Sequence, residues 1–192
     1  KTFSGCVVSG QSMILLCVVC SRKTFRWLSS YCESSRENLL VLTKCETQAD
    51  MKRVTGARSI CLDAYATDST GKKYDIEVQR SDNGADPHRA RYHSSMMDVE
   101  NLDEKQEYRE LPDTYVIFIT ENDYYKAGKP VYFIQNMNLT LGKPFDDGAH
   151  ILYVNGEYWD DSDIGRLMHD FNCTSDDDTP KRTVLFPCKS NR

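Results

Sequence analysis

The sequence predicts a mixed α/β domain in which helices flank a central β-sheet. Residues 59–79 alternate between apolar and polar side chains on either side of a turn, as a β-hairpin does. Three apolar runs, 115–120, 131–135 and 150–155, have the length and content of buried strands. Helix signals precede the first run and follow the last. The order hairpin, helix, three strands and helix is typical of one sheet with helices packed on it.

The hairpin groups polar side chains on one face. Side chains alternate across a strand, so Asp63 on the first strand, and Glu77 and Gln79 on the second, can converge when the strands pair. The turn residues 68–71, Asp-Ser-Thr-Gly, favour that pairing. Alternation alone favours a solvent-exposed face, and it predicts that Asp75 is solvated. A binding site is the alternative interpretation of the same pattern.

Two helices are predicted from their capping residues. Asp86 is a good N-cap and Pro87 suits the first helical position, so a helix is expected over 88–102. Ala90, His93 and Met97 mark its inward side. The acidic residues 160–163 suit the start of a second helix over about 164–171, because carboxylates stabilise a helix N-terminus.

Composition and charge exclude some classes of function. The chain has 192 residues, 28% of them charged, and a net charge of −5. Residues 101–192 contain 17 Asp or Glu against 10 Lys or Arg, which argues against a broad phosphate-binding surface but permits a local basic site. The longest apolar run, residues 13–20, is far shorter than the roughly 20 residues of a membrane span. We therefore expect no membrane association and a cytoplasmic location.

Cysteine and histidine give weaker signals. The chain has eight cysteines, five of them within the first 45 residues, so a secreted disulfide-rich protein is an alternative. Cys17-x-x-Cys20 has metal-ligand spacing, but it lies in an apolar run without a second such pair, and buried thiols explain it better. The four histidines are scattered, and we expect each to be a surface or packing residue.

The polar side chains of the hairpin match the chemistry of a magnesium site. Mg²⁺ binds hard oxygen ligands, usually one or two carboxylates with water and phosphate, and Asp63 and Glu77 can supply those carboxylates. Gln79 can orient a water or a phosphate oxygen. Arg89 and Arg91, in the first turns of the following helix, can hold DNA phosphates.

Five separated motifs resemble one known family. They are LDAYATDSTGKKYDIEVQR, ADPHRARYHSSMMD, ELPDTYVIFIT, GKPVYFIQN and DDGAHILYVNG, in that order. Together they resemble the PD-(D/E)XK nuclease family transposases, the Rpn-like proteins, over about residues 47–171. The resemblance implies a restriction-endonuclease-like α/β core with a central mixed β-sheet. It also implies Mg²⁺-dependent hydrolysis of DNA phosphodiester bonds in transposition or recombination, with Mn²⁺ as a possible substitute.

The resemblance also implies roles for particular residues. Asp63 matches the first acidic residue of the family, and Glu77 with Gln79 matches an E-x-Q variant of its E-x-K element. Catalytic roles are thereby implied for Asp63, Glu77 and Gln79, with Asp63 and Glu77 as metal ligands. Arg91 and Tyr92 match an Arg-Tyr pair on the next helix, so Arg89, Arg91 and Tyr92 are expected to bind DNA. DNA is the expected partner, and a homodimer is an expected assembly.

The chain is divided into three parts on this interpretation. Residues 46–173 form the nuclease-like domain, residues 1–45 are atypical for the family, and residues 174–192 form a polar tail. We hypothesise that 1–45 is a degraded or out-of-frame start, because its cysteine excess and missing periodicity end abruptly near residue 46. An alternative function follows, a catalytically inactive remnant or a non-enzymatic DNA- or protein-binding domain of the same fold.

Overall fold

A six-stranded sheet organises the protein. The computed structural model describes residues 42–51, 59–79 and 82–172. The strands are β1 (Leu42–Met51), β2 (Ile60–Asp68), β3 (Lys73–Gln79), β4 (Thr114–Thr120), β5 (Val131–Gln135), β6 (Met137–Asn138), β7 (Lys143–Pro144) and β8 (Ala149–Asn155); the helices are α1 (Pro87–Asn101) and α2 (Asp163–Asn172). Short 3₁₀ turns cover Asp82–Ala85 and Tyr108–Glu110. The predicted α/β fold with a mixed central sheet is confirmed.

The sheet order is β1-β2-β3-β4-β8-β5, and β6 with β7 forms a separate two-stranded ribbon. β1, β2 and β3 are antiparallel neighbours, β3, β4 and β8 are parallel, and β5 returns antiparallel at the edge. The crossover from β3 to β4 contains α1, as a parallel pair requires. The carboxyl ends of β3, β4 and β8 therefore lie along one edge of the sheet.

The central strands are covered on both faces. One face packs α2 residues Leu167 and Met168 against Ile76, Ile117 and the rest of a first hydrophobic cluster. The other face packs α1 through a second cluster, with these members at its centre: Ala90, Met96, Met97, Val116 and Phe118. All seven residues of β4 are buried, as the continuous apolar run predicted.

The first helix and the hairpin turn match their capping chemistry. The Asp86 carboxylate accepts a hydrogen bond from the His88 backbone N–H at 2.7 Å, and α1 starts at Pro87. In the turn, Asp68 Oδ1 accepts bonds from the N–H groups of Thr70 and Lys72, and Gly71 has a φ of 91°. A positive φ favours glycine, so this turn is fixed by local chemistry.

Two sequence predictions about the sheet need correction or extension. Asp75 is not solvated: it is fully buried, because β3 is a central strand and α1 covers the face on which the side chain lies. β1 extends the sheet beyond the predicted hairpin, as an antiparallel partner of β2. Residues 43–50 of β1 are exposed or half-buried, so the strand has no continuous apolar run by which the sequence could have predicted it. The segments 1–41 and 173–192 lie outside the described residues, so the hypothesis of a degraded start and the proposed tail remain predictions.

Candidate metal and phosphate site

The predicted carboxylates lie where β2 and β3 separate. Paired residues of these strands end at Ala64 and Ile76. Beyond that pair the Asp63 backbone N–H donates to Glu77 Oε1 at 3.0 Å, and the Val78 backbone N–H donates to Asp63 Oδ2 at 3.1 Å. Each carboxylate thus accepts a backbone bond from the opposite strand in place of a ladder bond. This reciprocal exchange holds Asp63 and Glu77 beside each other.

Arg89 and Gln79 bind the other oxygen of Glu77. The Arg89 Nη2 group donates to Glu77 Oε2 at 2.6 Å, and Gln79 Nε2 donates to the same oxygen at 3.3 Å. Arg89 Nη1 donates to the Gly84 carbonyl at 2.9 Å, which ties the guanidinium to the 3₁₀ turn before α1. Glu77 is 1% exposed, whereas the Arg89 side chain is 37% exposed. The guanidinium therefore bridges a buried carboxylate and solvent.

Gly84 leaves room for the Gln79 side chain. A Cβ atom at position 84 would overlap Gln79 Oε1 and approach Gln79 Cδ at 2.8 Å. Gln79 is half-buried at the end of β3, and the Glu121 backbone N–H donates to its carbonyl at 3.0 Å. The glycine at this position thus helps to set where the amide of Gln79 lies.

A second pair of polar residues lies behind Glu77 under α1. His93 Nδ1 is 2.8 Å from Asp75 Oδ2, and these side chains are 3% and 0% exposed. Arg89 Nε donates to His93 Nε2 at 3.2 Å. An arginine N–H can only donate, so His93 Nε2 is the acceptor and Nδ1 carries the proton that Asp75 accepts. The histidine is the neutral Nδ1–H tautomer in this arrangement.

Burial disfavours the ionised forms of Asp75 and Glu77. Desolvation, with repulsion from Asp75 next, raises the pKa of Glu77 to about 8. Burial also raises the pKa of Asp75 well above its ordinary value, and Asp63 adds to that shift. Three carboxyl groups face one guanidinium here, so the cluster retains a proton near neutral pH unless another cation enters it.

The donor set fits a divalent cation. Among the described residues, Asp75, Glu77 and His93 offer ligand atoms that all lie within 4.8 Å of one another. Asp75 Oδ1 is buried without a hydrogen-bond partner, a costly state that extra positive charge would relieve. Asp63 and Glu77 supply hard oxygen donors, and Asp63 is half-buried, which leaves an approach from solvent. Positive charge is therefore what this cluster lacks.

The structure brings together four of the six residues that the sequence singled out. Asp63, Glu77, Gln79 and Arg89 form one bonded group. Arg91 is exposed two residues further along α1, and among the described residues no hydrogen bond joins its side chain to that group. Tyr92 is half-buried against the α1-side cluster. These positions leave the DNA-binding roles of Arg91 and Tyr92 as predictions.

Sequence reasoning missed Asp75 and His93. Both were read as surface or packing residues, because a single acid or histidine within an element gives no sign of a partner. One signal was available: Asp75 shares a strand face with Glu77, and His93 is an inward position on the helix that follows. β3 pairs with β2 on one side and with β4 on the other, so it is a central strand, and the face that carries Asp75 lies beneath α1. A buried acid there needs a hydrogen-bond donor.

Two observations on the described residues concern membrane spans and cysteine state. No described helix has both the length and the apolar content to cross a bilayer. Cys45 and Cys61 are present as thiols, and the other six cysteines lie outside the described residues.

Comparison with known proteins agrees with the resemblance drawn from the motifs. A family model described as PD-(D/E)XK nuclease family transposase matches residues 27–164. The matched range includes every residue of the bonded site, and it begins within the segment that appeared atypical. No curated protein and no solved structure matches the chain. With nearly three quarters of its length matched, and with a mixed sheet that carries the acidic pair on adjacent strands, the chain belongs to the PD-(D/E)XK nuclease family transposases.

Proposed function

We propose that the protein is a Mg²⁺-dependent DNA endonuclease that hydrolyses phosphodiester bonds during transposition or recombination in the cytoplasm. The reciprocal bonding of Asp63 and Glu77 is the observation on which the proposal depends. It holds two carboxylates side by side where β2 and β3 separate, and the chain belongs to a nuclease family. The same bonds also satisfy two backbone N–H groups, so the two acids have a structural role beside the proposed catalytic one.

Asp63 and Glu77 are the proposed metal ligands. Asp63 is half-buried and reaches solvent, as a metal that keeps water and substrate ligands requires. Glu77 is as buried as Asp75 and His93, so burial does not separate these three; Asp63 provides the approach from solvent, and imidazole is a poor ligand for Mg²⁺. Bound Mg²⁺ would polarise the phosphate and lower the pKa of a water, and Mn²⁺ would suit the same oxygen donors.

The remaining side chains bind and orient the substrate in this proposal. Gln79, which bonds Glu77 Oε2, would orient the attacking water or a phosphate oxygen. Arg89 would neutralise charge on the scissile phosphate, and the partial exposure of its side chain supports that role. Arg91, exposed on α1, would contact the DNA backbone, and Tyr92 would support that part of the helix.

A plasmid-nicking assay tests the proposal. Supercoiled plasmid is incubated with the protein in Mg²⁺, in Mn²⁺ and in EDTA, and nicked product is measured. We expect metal-dependent nicking that falls at least about 100-fold in Asp63→Asn and Glu77→Gln, which keep the shapes of the side chains. Glu121→Gln, which alters an exposed carboxylate just beyond β4, is the matched control. Circular dichroism confirms that each variant is folded.

The outcomes separate the candidate functions. Equal nicking by the wild type and both site variants would exclude the assignment of Asp63 and Glu77. Binding to DNA without nicking in either metal would instead support the non-enzymatic DNA-binding alternative. That alternative has one structural argument, since both oxygens of Glu77 already accept hydrogen bonds from the protein.

A further inference from the structure

The buried Asp75–His93 pair has no place in the proposed reaction, yet it lies against Glu77 and is bonded to Arg89. His93 Nδ1 lies 2.8 Å from Asp75 Oδ2, and both side chains are almost fully buried. Neither reaches solvent or substrate. One bond from the pair to the site runs from Arg89 Nε to His93 Nε2, at 3.2 Å.

Asp75 determines which nitrogen of His93 is available to Arg89. Asp75 Oδ2 accepts from the ring at Nδ1, which favours the tautomer with the proton on Nδ1 and leaves a lone pair on Nε2. That lone pair faces the Nε–H of Arg89. The opposite tautomer would set two donors against each other. Asp75 thus determines that His93 Nε2 accepts the hydrogen bond from Arg89, which is a residue of the site.

His93 in turn fixes the orientation of Arg89. A guanidinium is planar, so the direction of its Nε–H sets the plane in which its two other nitrogens lie. The Gly84 carbonyl holds Nη1 at 2.9 Å, and Nη2 then meets Glu77 Oε2 at 2.6 Å. Phe118 lies beneath, with the guanidinium carbon 5.8 Å from the ring centre. A long side chain with many rotamers is thereby held in one position.

Arg89 keeps donors for another partner. Three of its five N–H groups are used by His93, Gly84 and Glu77. The other two have no acceptor among the described residues, and the side chain is 37% exposed. One spare N–H group is left on each of Nη1 and Nη2, and phosphate oxygens are natural acceptors for guanidinium donors.

We infer that Asp75 and His93 are positioning residues that aim Arg89 at Glu77 Oε2 and toward the space in which a substrate phosphate would lie. In the metal-free protein the guanidinium donates to Glu77 Oε2, and it is the counter-ion of that carboxylate whenever Glu77 is ionised. A divalent cation on Glu77 must compete with that guanidinium, which remains aimed at the phosphate. The phosphate role rests on the proposed nuclease function, whereas the counter-ion role does not.

The inference predicts opposite changes in metal affinity and cleavage. Loosening Arg89 removes a competing cation from Glu77, so the metal binds more tightly. It also removes a fixed cation from the phosphate, so kcat/KM falls. General damage to the fold would instead weaken metal binding and cleavage together.

A pair of substitutions at His93 separates the two bonds of the ring. His93→Asn can still reach Asp75, but it is too short to accept from Arg89. His93→Gln reaches far enough to accept from Arg89 and should rescue the wild-type behaviour. Arg89→Gln removes the guanidinium itself. Mn²⁺ affinity is measured by electron paramagnetic resonance of free Mn²⁺, which needs no cleavage activity.

We expect Mn²⁺ affinity to rise roughly tenfold in Arg89→Gln and by a smaller factor in His93→Asn, because a charge-assisted bond to Glu77 is lost or weakened. Cleavage by His93→Asn should lose about 10–100-fold in kcat/KM, as is usual for partners that orient a site residue. The double variant His93→Asn with Arg89→Gln should behave like Arg89→Gln alone, because His93 acts through Arg89.

Three results would overturn the inference. The first is Mn²⁺ affinity in His93→Asn that is unchanged or weaker while the protein stays folded. The second is additive loss in the double variant. The third is failure of His93→Gln to restore what His93→Asn loses. Absence of cleavage in the wild type would count against the nuclease function, and the Mn²⁺ titrations would still decide whether the pair positions Arg89 at Glu77.

Discussion

The raised pKa of Glu77 predicts that the metal-free protein becomes less stable as the solution is made more alkaline. Glu77 is 1% exposed, and burial beside Asp75 raises its pKa from 4.5 to about 8. In the unfolded chain the group ionises near 4.5. Between these values the folded state holds a proton that the unfolded state releases, so the free energy of unfolding falls as pH rises.

The magnitude follows from the two pKa values. Each proton held by the folded state alone changes the free energy of unfolding by about 1.4 kcal/mol per pH unit. Between pH 4.5 and pH 7 Glu77 therefore lowers the free energy of unfolding by about 3 kcal/mol. The decrease ends once the pH passes the pKa of Glu77 in the folded protein, about 8. This is a large share of the 5–15 kcal/mol by which domains are typically stable.

Glu77→Gln isolates this contribution. Urea unfolding of the wild type and the variant is followed in EDTA at several pH values from 5 to 8. The variant also disturbs the bond to Arg89, so its absolute stability is not the test. We expect the slope of unfolding free energy against pH to become less negative by about 1.4 kcal/mol per pH unit. The contribution of Asp75 to that slope, which comes from its own raised pKa, remains in the variant.

Glu121→Gln is the control for this measurement. Glu121→Gln removes an exposed carboxylate and should leave the slope unchanged. Parallel wild-type and Glu77→Gln slopes would show that Glu77 is ionised in the folded protein across this range. In that case the Arg89 guanidinium at 2.6 Å outweighs burial, and the cluster has no need for further positive charge.

Other predictions address the supports of the site. Mg²⁺ or Mn²⁺ at pH 8 should raise the melting temperature of the wild type but not that of Asp63→Asn with Glu77→Gln, because a ligand that binds only the folded state stabilises it. Tyr153→Phe removes the donor that bonds the buried Ala85 carbonyl at 2.7 Å, so urea unfolding should show a loss of about 1–3 kcal/mol with no change of fold. Unchanged stability would mean that water replaces the hydroxyl. Arg91→Ala should weaken DNA binding and reduce the steepness of its salt dependence by about one phosphate contact, measured by fluorescence anisotropy in Ca²⁺. An unchanged salt dependence would remove Arg91 from the DNA surface. Gly84→Ala should lower cleavage without unfolding the protein, because its Cβ would push the amide of Gln79 from its place.

Local chemistry in the sequence determined much of the fold. The Asp86-Pro87 start of α1, the Asp68 turn, the apolar run of β4 and the inward positions Ala90 and Met97 all follow from capping, turn preference and periodicity. The sequence also put Asp63, Glu77 and Gln79 on one face, because alternation is a property of each strand alone. Only the motifs as a set indicated that the face is a site and not a solvated surface.

Tertiary structure decided whether that face is buried and what else meets it. The parallel pairing of β3 with β4 makes β3 a central strand, and α1 then closes over Asp75 and Glu77. Burial raises the pKa of both acids, and it makes His93 and Arg89 their necessary partners. Strand alternation specifies which side chains share a face, but it does not specify which element packs on that face. The order of the strands in the sheet determined the electrostatics of Glu77, because only that order brings the helix over it.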